Sequence, residues 1–150
     1  MKKTTGDLER ILLNSHEDDI NNYFDNEKSE LLKISFGDYF REILLRKKIT
    51  QQMVFLRADI SEKYGYRLIS GEKHTNRRDV IIRLCYAGDL SFEETQRALK
   101  LYGMAPLYAR IKRDALLISF FRKHNGNILD LNQFLKANGE TPLKNCGSIN

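Results

Sequence analysis

Little in this 150-residue chain would interrupt a helix or point to a membrane, a disulfide or a metal. Its two prolines, Pro106 and Pro142, fall between helix-like segments, and strand-like alternation is nearly absent. The apolar cluster near the N-terminus, Ile11-Leu12-Leu13, is far shorter than the run of ~18 residues a membrane span needs. Neither secretion nor membrane insertion is therefore expected. The two cysteines, Cys85 and Cys146, stand far apart and form no Cys-x-x-Cys, which fits a reduced, cytoplasmic setting. His16, His74 and His124 lie in different segments with no paired ligand spacing, so no metal or other cofactor is expected. No glycine-rich phosphate loop occurs. The adjacent carboxylates Asp18-Asp19 and Glu93-Glu94 would point to different helix faces, which makes poor acid-base partners. An enzyme is not expected.

What is present is basic charge, unevenly placed. Residues 1–35 hold five Lys/Arg against eight Asp/Glu, whereas residues 36–150 hold twenty against twelve. The basic excess belongs to the body of the chain, where it could attract phosphate or serve as a solvated helical surface. With 41% hydrophobic residues there is enough apolar material for one core plus an extension.

Helical periodicity and capping residues divide the chain. Leu8, Ile11, Leu12, Ile20, Tyr23 and Phe24 suggest two short helices in an acidic extension, residues 1–35. Ser35 with Asp38 opens a helix whose apolar face is Phe36, Tyr39, Phe40, Ile43 and Leu44. Thr50 caps the next, to Ala58. Another spans Ser61 to Ser70 and closes at Gly71. Thr75 or Asn76 caps a fourth, through Val80, Ile81, Leu84 and Cys85, and Ser91 with Glu94 opens a fifth that stops at Gly103. Residues 104–143 read as a helical hairpin, Ala109–Lys123 then a helix from Ile128 that ends at Asn138-Gly139, that packs on the domain or dimerises, and 144–150 as a mobile tail.

The stretch Thr50-Gln51-Gln52-Met53-Val54-Phe55-Leu56-Arg57-Ala58-Asp59-Ile60-Ser61, followed by Leu68 and Gly71, resembles the second helix, turn and recognition helix of phage-repressor-like (Xre-type) helix-turn-helix regulators. The resemblance covers residues 36–103. It implies an all-α, lambda-repressor-like five-helix domain that acts as a transcriptional regulator on double-stranded DNA and could pair as a homodimer through the C-terminal hairpin. In that family the third helix enters a major groove about 12 Å wide.

Ile60, Tyr64 and Leu68 form an inward stripe, which leaves Ser61, Glu62, Lys63, Tyr66 and Arg67 facing outward as the expected base-reading set. Arg67 has the fork that pairs with guanine O6 and N7. Thr50 and Gln51 resemble the family's phosphate anchors, and Lys73, Arg77 and Arg78 flank the helix. Three positions depart from the family pattern. Phe55 stands where a small residue is usual, Asp59 where the turn glycine is usual, and Gly65 where an apolar side chain is usually buried, so an altered helix geometry is expected. Glu62 repels phosphate but could accept a hydrogen bond from cytosine N4. The alternative is a repressor-fold module that binds a protein partner in place of DNA and shows an apolar patch around its third helix.

Overall fold

The computed structural model describes residues 34–145 except Asn125, and the acidic extension expected over residues 1–35 falls almost wholly outside them. Seven α-helices and no strand occur among the described residues: α1 Phe36–Lys47, α2 Gln51–Ala58, α3 Glu62–Ser70, α4 Arg78–Ala87, α5 Phe92–Leu101, α6 Lys112–Lys123 and α7 Ile128–Ala137. The class is all-α. All seven belong to one unit that begins at Ser35.

Side chains at the helix starts explain most of the boundaries. Ser35, Thr50, Ser61 and Ser91 are N-caps whose hydroxyls accept the otherwise orphaned amides of Asp38, Met53, Tyr64 and Glu94. At α5 the cap is reciprocal, because the Glu94 carboxylate also accepts from the Ser91 backbone N–H at 2.8 Å. The α2 helix ends at Asp59, whose φ of 57° takes the left-handed turn that glycine usually supplies. Two boundaries differ from the sequence reading. The N-cap of α4 is Arg77, while the hydroxyl of Thr75 accepts from the Arg77 backbone N–H. The α6 helix begins at Lys112, after a turn in which the Ile111 N–H donates to the Tyr108 carbonyl.

One core joins all seven helices. Phe40, Ile43, Val54, Phe55, Leu68, Ile81, Leu84 and Leu99 are buried in the same cluster as Leu117, Phe121, Leu131 and Leu135 of the α6–α7 hairpin. Each such side chain removed from water stabilises the fold by about 2 kcal/mol. The hairpin thus buries its apolar face against α4 and α5 of its own chain.

The chain beyond α7 is held down as far as Asn145; of the tail expected over residues 144–150, only residues 144 and 145 are among the described ones, and both are anchored. Leu143 is buried, the Lys144 backbone N–H donates to Asp79, and the Asn145 amide donates to the carbonyl and carboxylate of Asp59. Arg113, which donates to the carbonyls of Thr141 and Pro142, and Arg83 together fasten this segment. The buried Arg83 guanidinium donates to the carbonyls of Leu143, Lys144 and Ala58, so the final strap is fastened to α4 and to the end of α2.

Candidate nucleic-acid interface

The α2 and α3 helices are joined by three residues, Asp59 to Ser61, and α3 lies on the body by its inner side. Two close approaches set that seat. A side chain at Gly65 would run into the ring of Phe55, with Cζ at 2.8 Å, and a side chain at Gly37 on α1 would collide with the Ile69 carbonyl oxygen. Phe55 is fully buried. Large and small residues are exchanged between two facing positions, so two departures from the repressor pattern form one complementary contact. Tyr66 packs edge-on against the same ring, at 4.9 Å between centroids.

The outer side of α3 carries Glu62, Lys63 and Tyr66 exposed and Arg67 half-buried. Arg67 has an acidic neighbour, Nε lying 3.7 Å from Glu72 Oε1, a loose and exposed pair. Thr50 and Ser61, also exposed, use an oxygen lone pair for capping and keep their hydroxyl hydrogens for donation. Gln51 is half-buried at the start of α2. Gln52, one residue on, meets Glu62 across the two helices, with Nε2 donating to Oε2 at 3.3 Å.

Beyond Gly71 the loop is pinned by Tyr102, a residue whose helical spacing marks it only for the core. Its ring stacks on His74 at 4.5 Å and its hydroxyl accepts from the Thr75 backbone N–H at 2.8 Å. Lys73 and Arg77 thereby protrude from an anchored segment. Both are exposed, and like Lys63 they make no ion pair among the described residues. Arg78 requires a correction. Its guanidinium donates to the carbonyls of Ala105 and Pro106 and pairs with the buried carboxylate of Asp114, so it joins α4 to α6 and does not flank α3 as a free cation.

Apolar side chains also reach this surface. Met53 is 42% exposed, Leu56 76% and Tyr66 44%. Met53, Leu56 and Ile60 line a groove together with the polar side chains of Thr50, Gln52 and Glu62. Spacing along α3 places Tyr66 on this side. Met53 and Leu56 are not in the outward set read from the sequence, although both stand opposite Val54 and Ala58 on α2.

Among the described residues no group of three or more His, Cys, Asp or Glu side chains is arranged to hold a metal ion, and no helix is long and apolar enough to cross a membrane. The Cys85 thiol is fully buried, and burial pushes its pKa well up. Comparisons of the chain with protein-family models, with curated proteins and with solved structures each find no match.

Proposed function

We propose that this protein is a DNA-binding transcriptional regulator with a lambda-repressor-like domain, in which α2, the turn at Asp59 and α3 form a helix-turn-helix and α3 enters the major groove. One observation carries the reading. The outer side of a helix tightly coupled to its predecessor bears Lys63 and Arg67, and the anchored segment just beyond adds Lys73 and Arg77. Cations so placed can contact phosphates on both sides of a groove while the helix meets the bases. Thr50, Gln51 and Ser61 supply neutral donors at the two helix starts, which suits phosphate oxygens. No catalytic role is assigned to any residue. A homodimer on a two-fold operator and a cytoplasmic setting belong to the same proposal.

The test is fluorescence anisotropy of duplex DNA across a salt titration, with the wild type and the Lys63→Glu/Arg67→Glu double variant. Binding should weaken with salt at a slope of about −0.9 per phosphate neutralised and should vanish in the variant. Equal binding by the variant would remove α3 from the interface.

The groove over Met53, Leu56 and Ile60 favours a second reading, a repressor-fold module that binds a protein through the α2–α3 corner. Such a partner would stay bound at high salt and be lost in Leu56→Asp.

A further inference from the structure

Away from the α2–α3 corner, one cleft collects cations that the fold has not fully neutralised. It lies between the start of α4 and the C-terminal strap and is lined by Arg77, Arg78, Asp79, Arg113, Thr141 and Lys144, with a volume of about 330 Å³. Two of its four cations are paired. Arg113 grips both oxygens of Asp79, at 3.0 and 2.9 Å, and Arg78 pairs with Asp114. The Asp79 carboxylate also accepts from the Lys144 backbone N–H, so the fold itself occupies it. Arg77 and Lys144 are exposed, and neither forms an ion pair among the described residues. Four cations against two carboxylates leave a net charge of +2.

The strap that carries Lys144 is fastened by Arg83 and Arg113, and its hydrogen bond to Asp79 brings it to the residue two beyond Arg77. Like charges held on anchored backbone in a concave place repel each other and focus positive potential there, and an anion relieves that repulsion. The donor set selects the anion. A guanidinium offers a planar fork and an ammonium a compact charge, while Thr141, fastened through its carbonyl, keeps its hydroxyl as a neutral donor. A carboxylate has two oxygens and one charge to meet them. A phosphate monoester has three terminal oxygens and a charge of about −2 near neutrality, which matches the excess. The volume lies at the small end of the range for ligand sites, about 300 to 1,000 Å³, and suits a small molecule.

We propose that this cleft is a regulatory site for a small phosphate monoester, with Arg77 and Lys144 as its charged contacts and Thr141 as its neutral one. The regulatory half rests on the DNA-binding proposal, in which Arg77 is also a phosphate contact. A monoester that occupies Arg77 withdraws it from DNA and weakens operator binding.

Calorimetric titration of the full chain at constant ionic strength, with inorganic phosphate and phenyl phosphate as probes, tests the site. Arg77→Gln and Lys144→Gln should each weaken binding about tenfold, and Thr141→Val about threefold. Lys123→Gln, an exposed cation of α6 outside the cleft, should change nothing. Melting temperatures equal to that of the wild type would verify the fold of each variant. In anisotropy with duplex DNA, saturating phenyl phosphate should weaken wild-type binding and reduce the magnitude of its salt slope by about 0.9. Lys144→Gln should be insensitive to the same concentration.

A flat titration with both probes overturns the site. Losses in Arg77→Gln and Lys144→Gln no larger than in Lys123→Gln overturn it equally, since any basic protein attracts anions in that way. If neither probe binds and Lys144→Gln weakens DNA binding as Arg77→Gln does, the cleft takes a DNA phosphodiester and the monoester proposal falls. If both phosphate and DNA bind without affecting each other, the regulatory role falls. Phosphate binding with no duplex bound at low salt would keep the site and remove the DNA-binding reading.

Discussion

The α3 and α4 helices are of nearly equal length and each carries two cations, yet they use them in opposite ways. On α3, Lys63 and Arg67 face outward, with one loose acidic neighbour between them. On α4, Arg78 and Arg83 turn inward, where carbonyls from the α5–α6 loop, the end of α2 and the C-terminal strap take up their N–H groups. A guanidinium taken out of water is destabilising unless its donors are satisfied, so those carbonyls fix the buried Arg83, and with the Asp114 carboxylate the partly buried Arg78, as fastenings. Basic composition alone does not mark a nucleic-acid surface. The informative cations are those whose donors the protein has left for something else.

That contrast requires α3 to be held firmly by its inner side, and Phe55 is where it would break first. Phe55→Ala should cost about 4 kcal/mol in denaturant unfolding, because the fully buried ring is the partner of a glycine, which has no side chain to fill its space. Gly65→Leu alone should also destabilise, through overlap with the ring. Combining the two should recover at least about 1 kcal/mol relative to the sum, the sign of direct coupling. Strict additivity would show that the exchange of large and small residues is not one contact.

Arg83→Met probes the inward helix. It leaves the carbonyls of Ala58, Leu143 and Lys144 without that donor in a buried setting, and the expected loss is about 3 kcal/mol. The strap should loosen at the same time, so limited proteolysis should cut near Leu143 in the variant before it cuts the wild type. A stability change below about 0.5 kcal/mol would mean that Arg83 is a surface-like cation and that α3 and α4 do not differ as described.

How much of this is legible in the sequence depends on the range of each interaction. Caps are local, so Ser35, Thr50, Ser61, Ser91 and Gly71 mark their boundaries without reference to the rest of the chain. The outward set on α3 follows from spacing along one helix. Arg78 is misleading because Asp114, which claims it, lies 36 residues away and beyond another helix. Phe55 and Gly65, taken singly, are two defects. Only their juxtaposition reveals that each compensates the other. The strap leaves little trace because its one apolar anchor, Leu143, sits in a polar segment held by side chains distant in sequence, Arg83 60 residues upstream and Arg113 about half as far.

Glu94 offers a smaller test, on a helix end that is neither wholly inward nor outward. Burial pushes its pKa up, but the Ser91 backbone N–H and the Lys47 ammonium at 3.1 Å outweigh this, and the pKa lies below its ordinary value of 4.5. A depressed carboxylate adds stability that is complete above the ordinary value and is lost as pH falls through the folded one. Glu94→Gln should therefore cost about 1 kcal/mol near neutrality, and its unfolding free energy should converge on that of the wild type in acid. A constant difference across pH would exclude the charged cap as the source.

The smallest expected effect is the most telling for the comparison. In Lys63→Glu/Arg67→Glu the two positions, one turn apart, still carry like charges, so their mutual repulsion is replaced by one of similar size. The carboxylate introduced at position 63 gains from the helix dipole near the start of α3, while the one at position 67 loses near its end and also faces Glu72. These terms are each about a few tenths of a kcal/mol and nearly cancel, so unfolding free energy should move by less than about 0.5 kcal/mol. DNA binding, by contrast, should be abolished. A variant that unfolded readily would show Lys63 and Arg67 to be fastenings like Arg78 and Arg83, and the distinction between the two helices would disappear. A stable variant that no longer binds DNA would identify the cations left unused by the fold as the ones that act on a partner.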